Sequence, residues 1–229
     1  MLLNLLRGGS FDSGEVIAYI LSALAVIFLT LPIHEFAHGF VAQKLGDDTP
    51  RWQGRITLNP FAHIDWIGAA CILLMGFGWA KPVQVNARNF RNPKRDMAIV
   101  ALAGPLSNIV VALICMLVCH ALLLVTVSTV TALNILSYVW TFFFQIVSIN
   151  IYLAVFNLLP VPPLDGSRLL AAFLPYKYYR LVMQYEQYIY YGLLLLLFAG
   201  VLDVPLDFLS NKLLSGIWNL AALPFKLFN

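Results

Sequence analysis

The chain has 229 residues, of which 61% are hydrophobic and only 11% charged, with a formal net charge of +3. A soluble domain carries about twice that charged fraction, so this chain cannot cover its apolar residues with a polar surface of its own and needs lipid as part of its solvent. The basic residues form no long run and do not interleave with exposed aromatics, which argues against a nucleic-acid partner.

In chain order, Arg7, Asp12 and Glu15 precede a first apolar stretch, Val16 to Val41, interrupted by Pro32 and by His34, Glu35 and His38. It has no small-residue cleavage site and is expected to be a retained spanning helix, not a signal peptide. Arg51 to Leu58 reads as a short strand. Trp66 to Ala80 is apolar but shorter than the roughly 20 residues a span needs, so it is expected to be tilted or re-entrant. Lys81 to Asn86 alternates as a strand does. Four more apolar stretches follow, Met97 to Val127, Ala132 to Leu159, Tyr188 to Leu202 and Leu206 to Phe228. The last is broken by Lys212, Pro224 and Lys226, and either spans or lies in the interface. The expected fold class is an all-α membrane protein, a polytopic helical bundle of about five to six transmembrane segments with a small β-hairpin or sheet at the membrane. One domain is expected over residues 1–229, with a core at about 16–170 and C-terminal helices over 171–229.

Charge placement gives an expected orientation. Lys44, Arg51, Arg55, Lys81, Arg88, Arg91, Lys94 and Arg95 lie between the first and third long stretches, and Arg168, Lys177 and Arg180 follow the fourth. The link at 128–131 has no Lys or Arg. The positive-inside rule puts both basic regions in the cytoplasm, provided that 66–80 does not cross. Cys71, Cys115 and Cys119 fall within apolar stretches and read as small buried hydrophobes.

His34-Glu35-Phe36-Ala37-His38 is H-E-x-x-H. On a helix, residues four apart share a face, so two imidazoles at this spacing can hold one tetrahedral metal, and the Glu beside the first can reach a water at that metal. Three ionisable residues within one apolar stretch are costly unless they act together. A catalytic zinc needs a third protein ligand and an open position. His120 is expected at the opposite membrane face. The carboxylate candidates are Asp47, Asp48, Asp65, Asp96 and Asp165. Asp165 stands out, because it follows a long apolar helix in Asn157-Leu-Leu-Pro-Val-Pro-Pro-Leu-Asp-Gly166, where prolines break the helix and glycine permits a turn. Its other reading is an N-cap for the segment Ser167–Phe173.

H-E-x-x-H followed at a distance by L-D-G resembles the site-2 protease family of intramembrane zinc metalloproteases. Leu58-Asn-Pro-Phe-Ala-His-Ile-Asp65 resembles the N-P-x-x-H-I-D stretch of its compact bacterial members, and Gly104-Pro-Leu-Ser-Asn108 their G-P-x-x-N. The four motifs occur in the family's order between about residues 30 and 170. Trp66 stands where the family commonly has proline, and Ser167 where many members have a second glycine. The resemblance implies one zinc ion held by His34, His38 and Asp165, catalysis by Glu35 with help from Asn108, and hydrolysis of peptide bonds in or near transmembrane helices of other proteins. Asn108 has a second reading, as a helix–helix hydrogen bond. His63 and Asp65 read as residues that fix a loop near the site.

The expected setting is an integral membrane protein of the cell membrane, with lipid and transmembrane proteins as partners and the site toward the cytoplasm. No soluble accessory domain is expected within the chain. The competing class is a non-enzymatic zinc-binding membrane protein or transporter. The long third and fourth stretches offer Asn108, Asn134, Gln145, Ser148 and Asn150 but no carboxylate, a poor polar path for a metal.

Overall fold

The computed structural model describes residues 13–75 and 78–227. The features expected at Arg7, Asp12 and Phe228, and the 76–77 part of the second apolar stretch, lie outside them.

The first apolar stretch forms a nearly continuous rod of α1 (Ser13–Ala25), one π-helical turn (Val26–Thr30) and α2 (Leu31–Lys44). The 31 residues of Gly14–Lys44 extend about 46 Å at 1.5 Å per residue, longer than the roughly 30 Å of hydrocarbon in a bilayer. The π turn has a cause in the sequence. Pro32 lacks an N–H, and its ring crowds the carbonyl four residues back, that of Phe28; the wider turn at Phe28 relieves this. Across the bundle, Asn150 Nδ2 donates to Thr30 Oγ1 at 3.3 Å, both side chains being buried.

Short elements come next, α3 (Thr49–Trp52) and α4 (Trp66–Met75). Two long helices follow. The first, α5 (Pro93–Leu123), starts on a proline, which suits a first turn whose N–H groups have no intrahelical partner. The second, α6 (Val130–Asn157), starts at Thr129, whose hydroxyl accepts the Ala132 N–H at 3.2 Å. The chain ends in α7 (Asp165–Phe173), α8 (Tyr176–Gln184), α9 (Glu186–Phe198) and α10 (Asp203–Ala222).

The centre of the bundle is α5. It pairs with α6, receives α2 and α7, and meets α10, which also packs on α6, while α1 lies along α6. One core cluster joins Ala112, Met116 and Cys119 of α5 to Val147 and Ile151 of α6 and to Ile217 and Ala221 of α10. Outward-facing Leu29, Leu106, Val110, Ile114, Leu133 and Ile135 are all exposed. Apolar side chains in that position around long helices face lipid, and the chain is a membrane protein.

Two parts of the expected fold are overturned. Three helices are long and apolar enough to cross a membrane, Gly14–Lys44, Pro93–Leu123 and Val130–Asn157. The pair Glu186–Phe198 and Asp203–Lys226, bent by 82°, makes at most a fourth span. The expected count of five to six fails because α4 has only 10 residues, about 15 Å, and because the two C-terminal stretches are halves of one broken unit. The sheet is also absent: no β-strand occurs among the described residues. Thr49–Trp52 is helical where the first strand was expected to begin. The 81–86 segment is extended, but its N–H groups find other acceptors. Lys81 N–H donates to His63 O at 2.8 Å, Val83 N–H to Glu35 Oε2 at 2.8 Å, and Asn86 N–H to Asp47 Oδ2 at 2.7 Å. Two side-chain carboxylates and a loop carbonyl take the place of a neighbouring strand.

The core assignment is testable by paired truncations on α5. Met116 is fully buried and Ile114 is 56% exposed. Met116→Ala is expected to cost about 2–5 kcal/mol and to lower the melting midpoint in detergent, while Ile114→Ala on the lipid face leaves it within a few degrees.

Candidate active site

Helix α2 presents His34 and His38 one turn apart, both buried, with their Nε2 atoms 3.1 Å from each other. The third member arrives from far along the chain. Asp165 opens α7, and its Oδ2 lies 3.4 Å from His34 Nε2 and 3.2 Å from His38 Nε2. These residues form a cluster able to hold a metal, the only such cluster among the described residues. The triangle can be tested against zinc. Ligands at about 2.0–2.1 Å in a tetrahedron stand about 3.3 Å from one another, and the three edges of 3.1, 3.2 and 3.4 Å match that spacing. The donor set, two imidazoles and a carboxylate, is a common one for catalytic zinc.

Tautomer control fits as well. His38 Nδ1 lies 2.7 Å from Val100 O. A carbonyl only accepts, so the proton sits on Nδ1 and the Nε2 lone pair is free for the metal.

Two glycines let the backbone approach so closely. A Cβ on Gly104 of α5 would overlap His38 Nε2 and come within 2.6 Å of His34 Nε2. A Cβ on Gly166 would overlap the Leu158 carbonyl, so this glycine lets the first turn of α7 sit on the end of α6. The N-cap of α7 is Leu164, with no side-chain cap; the Asp165 carboxylate faces the histidines instead.

The other candidate carboxylates are engaged elsewhere. Asp48 accepts from Gln43 Nε2, and Asp65 accepts the N–H groups of Ile67 and Gly68 at the start of α4. Asp96 accepts from the Asn92 N–H and Arg95 Nε, and Asp47 binds Thr49, Asn86 and Asn89. His63 is fully buried and donates to Thr57 O at 2.8 Å. His120 packs on Trp218 and Phe225 near the other end of α5. The three cysteines are free thiols.

The cluster opens on a cavity of about 730 Å³, lined also by Glu35, Asn108, Val83 and, on α9, Tyr190, Leu193 and Leu197. Asn108 is 1% exposed, and neither its Nδ2 nor its Oδ1 has a partner among the described residues. It follows Gly104 by one turn and so shares that face of α5. Its alternative reading required a helix–helix hydrogen bond, and none is formed. Gly104 and Val100 were not foreseen as parts of the site. The G-P-x-x-N motif marked the glycine but not its contact, and nothing in a sequence marks a backbone carbonyl as an acceptor.

Gly104→Ala is the direct test of the close approach. Zinc content of the purified variant is expected to fall at least tenfold, an effect on the scale of lost ligand-orienting contacts, with helical content unchanged by circular dichroism.

Comparison with known proteins agrees with this geometry. The model of peptidase family M50 matches residues 22–200. YwhC of Bacillus subtilis, named as a zinc metalloprotease, is 40% identical over 165 residues, covering 69% of this chain and 73% of that protein. MJ0611 of Methanocaldococcus jannaschii, similarly named, is 29% identical over 168 residues, with 70% and 74% covered. Rip2 of Mycolicibacterium smegmatis, also so named, is 29% identical over 143 residues, covering 60% of this chain and 51% of that protein. No solved structure matches the chain. Helices of membrane-spanning length, a zinc-spaced His34–His38–Asp165 triangle and a family match over most of the sequence together place the chain in peptidase family M50, the site-2 proteases, as a membrane-embedded zinc metalloendopeptidase.

Proposed function

We propose that the chain cleaves transmembrane segments of other proteins near the cytoplasmic face of the cell membrane, with Glu35 as general base and acid and Asn108 as the group that stabilises developing negative charge. The observation that carries this reading is the shared cavity. Glu35 and the unpartnered Asn108 amide open onto the same space as His34, His38 and Asp165.

His34, His38 and Asp165 would hold a zinc ion, which when bound would supply Lewis acidity for the scissile carbonyl and acidity for the attacking water. Glu35 takes the proton as that water attacks and returns it to the leaving amine. Asn108 Nδ2 donates to the carbonyl oxygen as charge builds there. Leu193, Leu194 and Leu197 of α9 give the space one apolar wall, and a less polar surrounding strengthens each of these interactions. The cytoplasmic orientation is supported by the basic residues, since those of 44–95 and of 168–180 flank the site while the link at 128–131 has none.

The test is cleavage of a panel of single-span substrates in liposomes. Glu35→Gln is expected to keep one zinc per chain and to lose turnover. Undiminished cleavage by that variant would refute the role. Asn108→Ala is expected to lower kcat by about 10²–10³ with zinc retained, the usual scale for one oxyanion donor. A loss confined to KM would assign Asn108 to substrate binding instead.

A further inference from the structure

Asp47, one of the carboxylates that the sequence offered as a ligand, is fully buried and stands outside the metal cluster. Its two oxygens accept four hydrogen bonds. Oδ1 receives the Thr49 N–H at 3.1 Å, the Thr49 hydroxyl at 2.5 Å and Asn89 Nδ2 at 2.7 Å, and Oδ2 receives the Asn86 N–H at 2.7 Å. The Thr49 pair is local and shapes the turn from α2 into α3. The other pair comes from 39 and 42 residues downstream, so Asp47 ties the end of the H-E-x-x-H helix to a distant part of the chain.

That distant part is the extended segment 81–86. Its first residue is fixed by the Lys81 N–H to His63 O bond at 2.8 Å and by Arg55 Nη1 donating to Lys81 O at 3.4 Å. Its last residue is fixed by Asp47. Between them, the Val83 N–H meets Glu35 Oε2, and Pro82, Val83 and Val85 line the cavity that holds the metal cluster. The segment is thus a strap pinned at both ends, lying across the reacting centre. It has no ladder of its own to hold it, so a few side-chain bonds set its position. Burial pushes the Asp47 carboxyl up, but hydrogen bonds from Thr49, Asn86 and Asn89 outweigh this and keep it below the ordinary range. It is therefore a charged, strong acceptor at neutral pH.

We propose that Asp47 is a positioning residue for substrate, anchoring the 81–86 strap as the cavity wall that holds the scissile segment opposite His34, His38 and Asp165. This rests on the proteolytic reading above. Asp47 touches no reacting atom. Its loss leaves the zinc ligands in place but lets the wall move, so substrate placement suffers most.

The experiment uses the full zinc-loaded chain and a single-span substrate in liposomes. It compares wild type, Asp47→Asn, Asn89→Ala and the exchange pair Asp47→Asn with Asn89→Asp. The readouts are zinc content, amide hydrogen exchange over 81–86, KM, kcat and the bonds cut. For Asp47→Asn the expected result is full zinc, faster exchange confined to the strap, KM raised about tenfold with kcat within about threefold, and cutting spread over several bonds. The exchange pair is expected to restore these values toward wild type, because carboxylate and amide have traded places. Asn89 is exposed and contributes one of the four bonds, so Asn89→Ala folds and is expected to shift exchange and KM in the same direction by less. Unchanged exchange and KM in both single variants would overturn the proposal. So would loss of zinc and kcat with KM unchanged, which would make Asp47 a support of the metal helix. A wild type that cuts no membrane substrate would sink the proteolytic reading instead, and the exchange measurement, which needs no turnover, still decides the anchor.

Discussion

Three lone pairs brought within 3.4 Å of one another repel unless a cation sits among them. In a membrane protein the surrounding low dielectric makes that repulsion, and any unpaired charge, costlier still. Much of the local architecture serves this one meeting point. Pro32 and the π turn precede the two histidines on α2, Gly104 clears the space they enter, and the proline-rich turn with Gly166 delivers Asp165. Because the ligands come from two distant elements and meet only where a third leaves space at Gly104, the site is a property of the packed bundle and not of the H-E-x-x-H helix alone.

The same packing explains how hydrolysis and lipid coexist. One helix, α5, supplies the Val100 carbonyl that orients His38, the gap at Gly104 and the Asn108 amide, while its outward residues Leu106, Val110 and Ile114 face lipid. Polar groups are turned inward onto a cavity, which is where a bilayer tolerates them. Another part of the cavity wall comes from α9, through Tyr190, Leu193, Leu194 and Leu197 together with Glu186 and Gln187.

How much of this was legible in the sequence follows from the nature of each signal. The metal ligands were, because chemistry restricts zinc to few residue types and helical spacing fixes two of them, and the prolines before Asp165 announced a broken helix. The long helices were, because apolar runs of spanning length have few alternatives. The number of spans was not, since hydropathy alone cannot tell a span from a 10-residue helix or from half of a bent pair. The 81–86 segment misled because alternation reports an extended backbone, not the partner of its N–H groups. Those partners include Glu35 and Asp47, residues 48 and 39 positions away from their donors, and the His63 carbonyl. Gly104 was visible only as a motif letter, because its meaning is the space that it leaves for another helix.

The central claim is that His34, His38 and Asp165 form a three-ligand zinc site with a place left for water. Zinc K-edge absorption spectroscopy on the purified protein tests it most directly. The account predicts a four-coordinate ion with two imidazole nitrogens and two oxygens at about 2.0–2.1 Å and no sulfur, losing one oxygen contribution in Asp165→Ala. A sulfur shell near about 2.3 Å, or an ion whose environment is unaltered by Asp165→Ala, would contradict it.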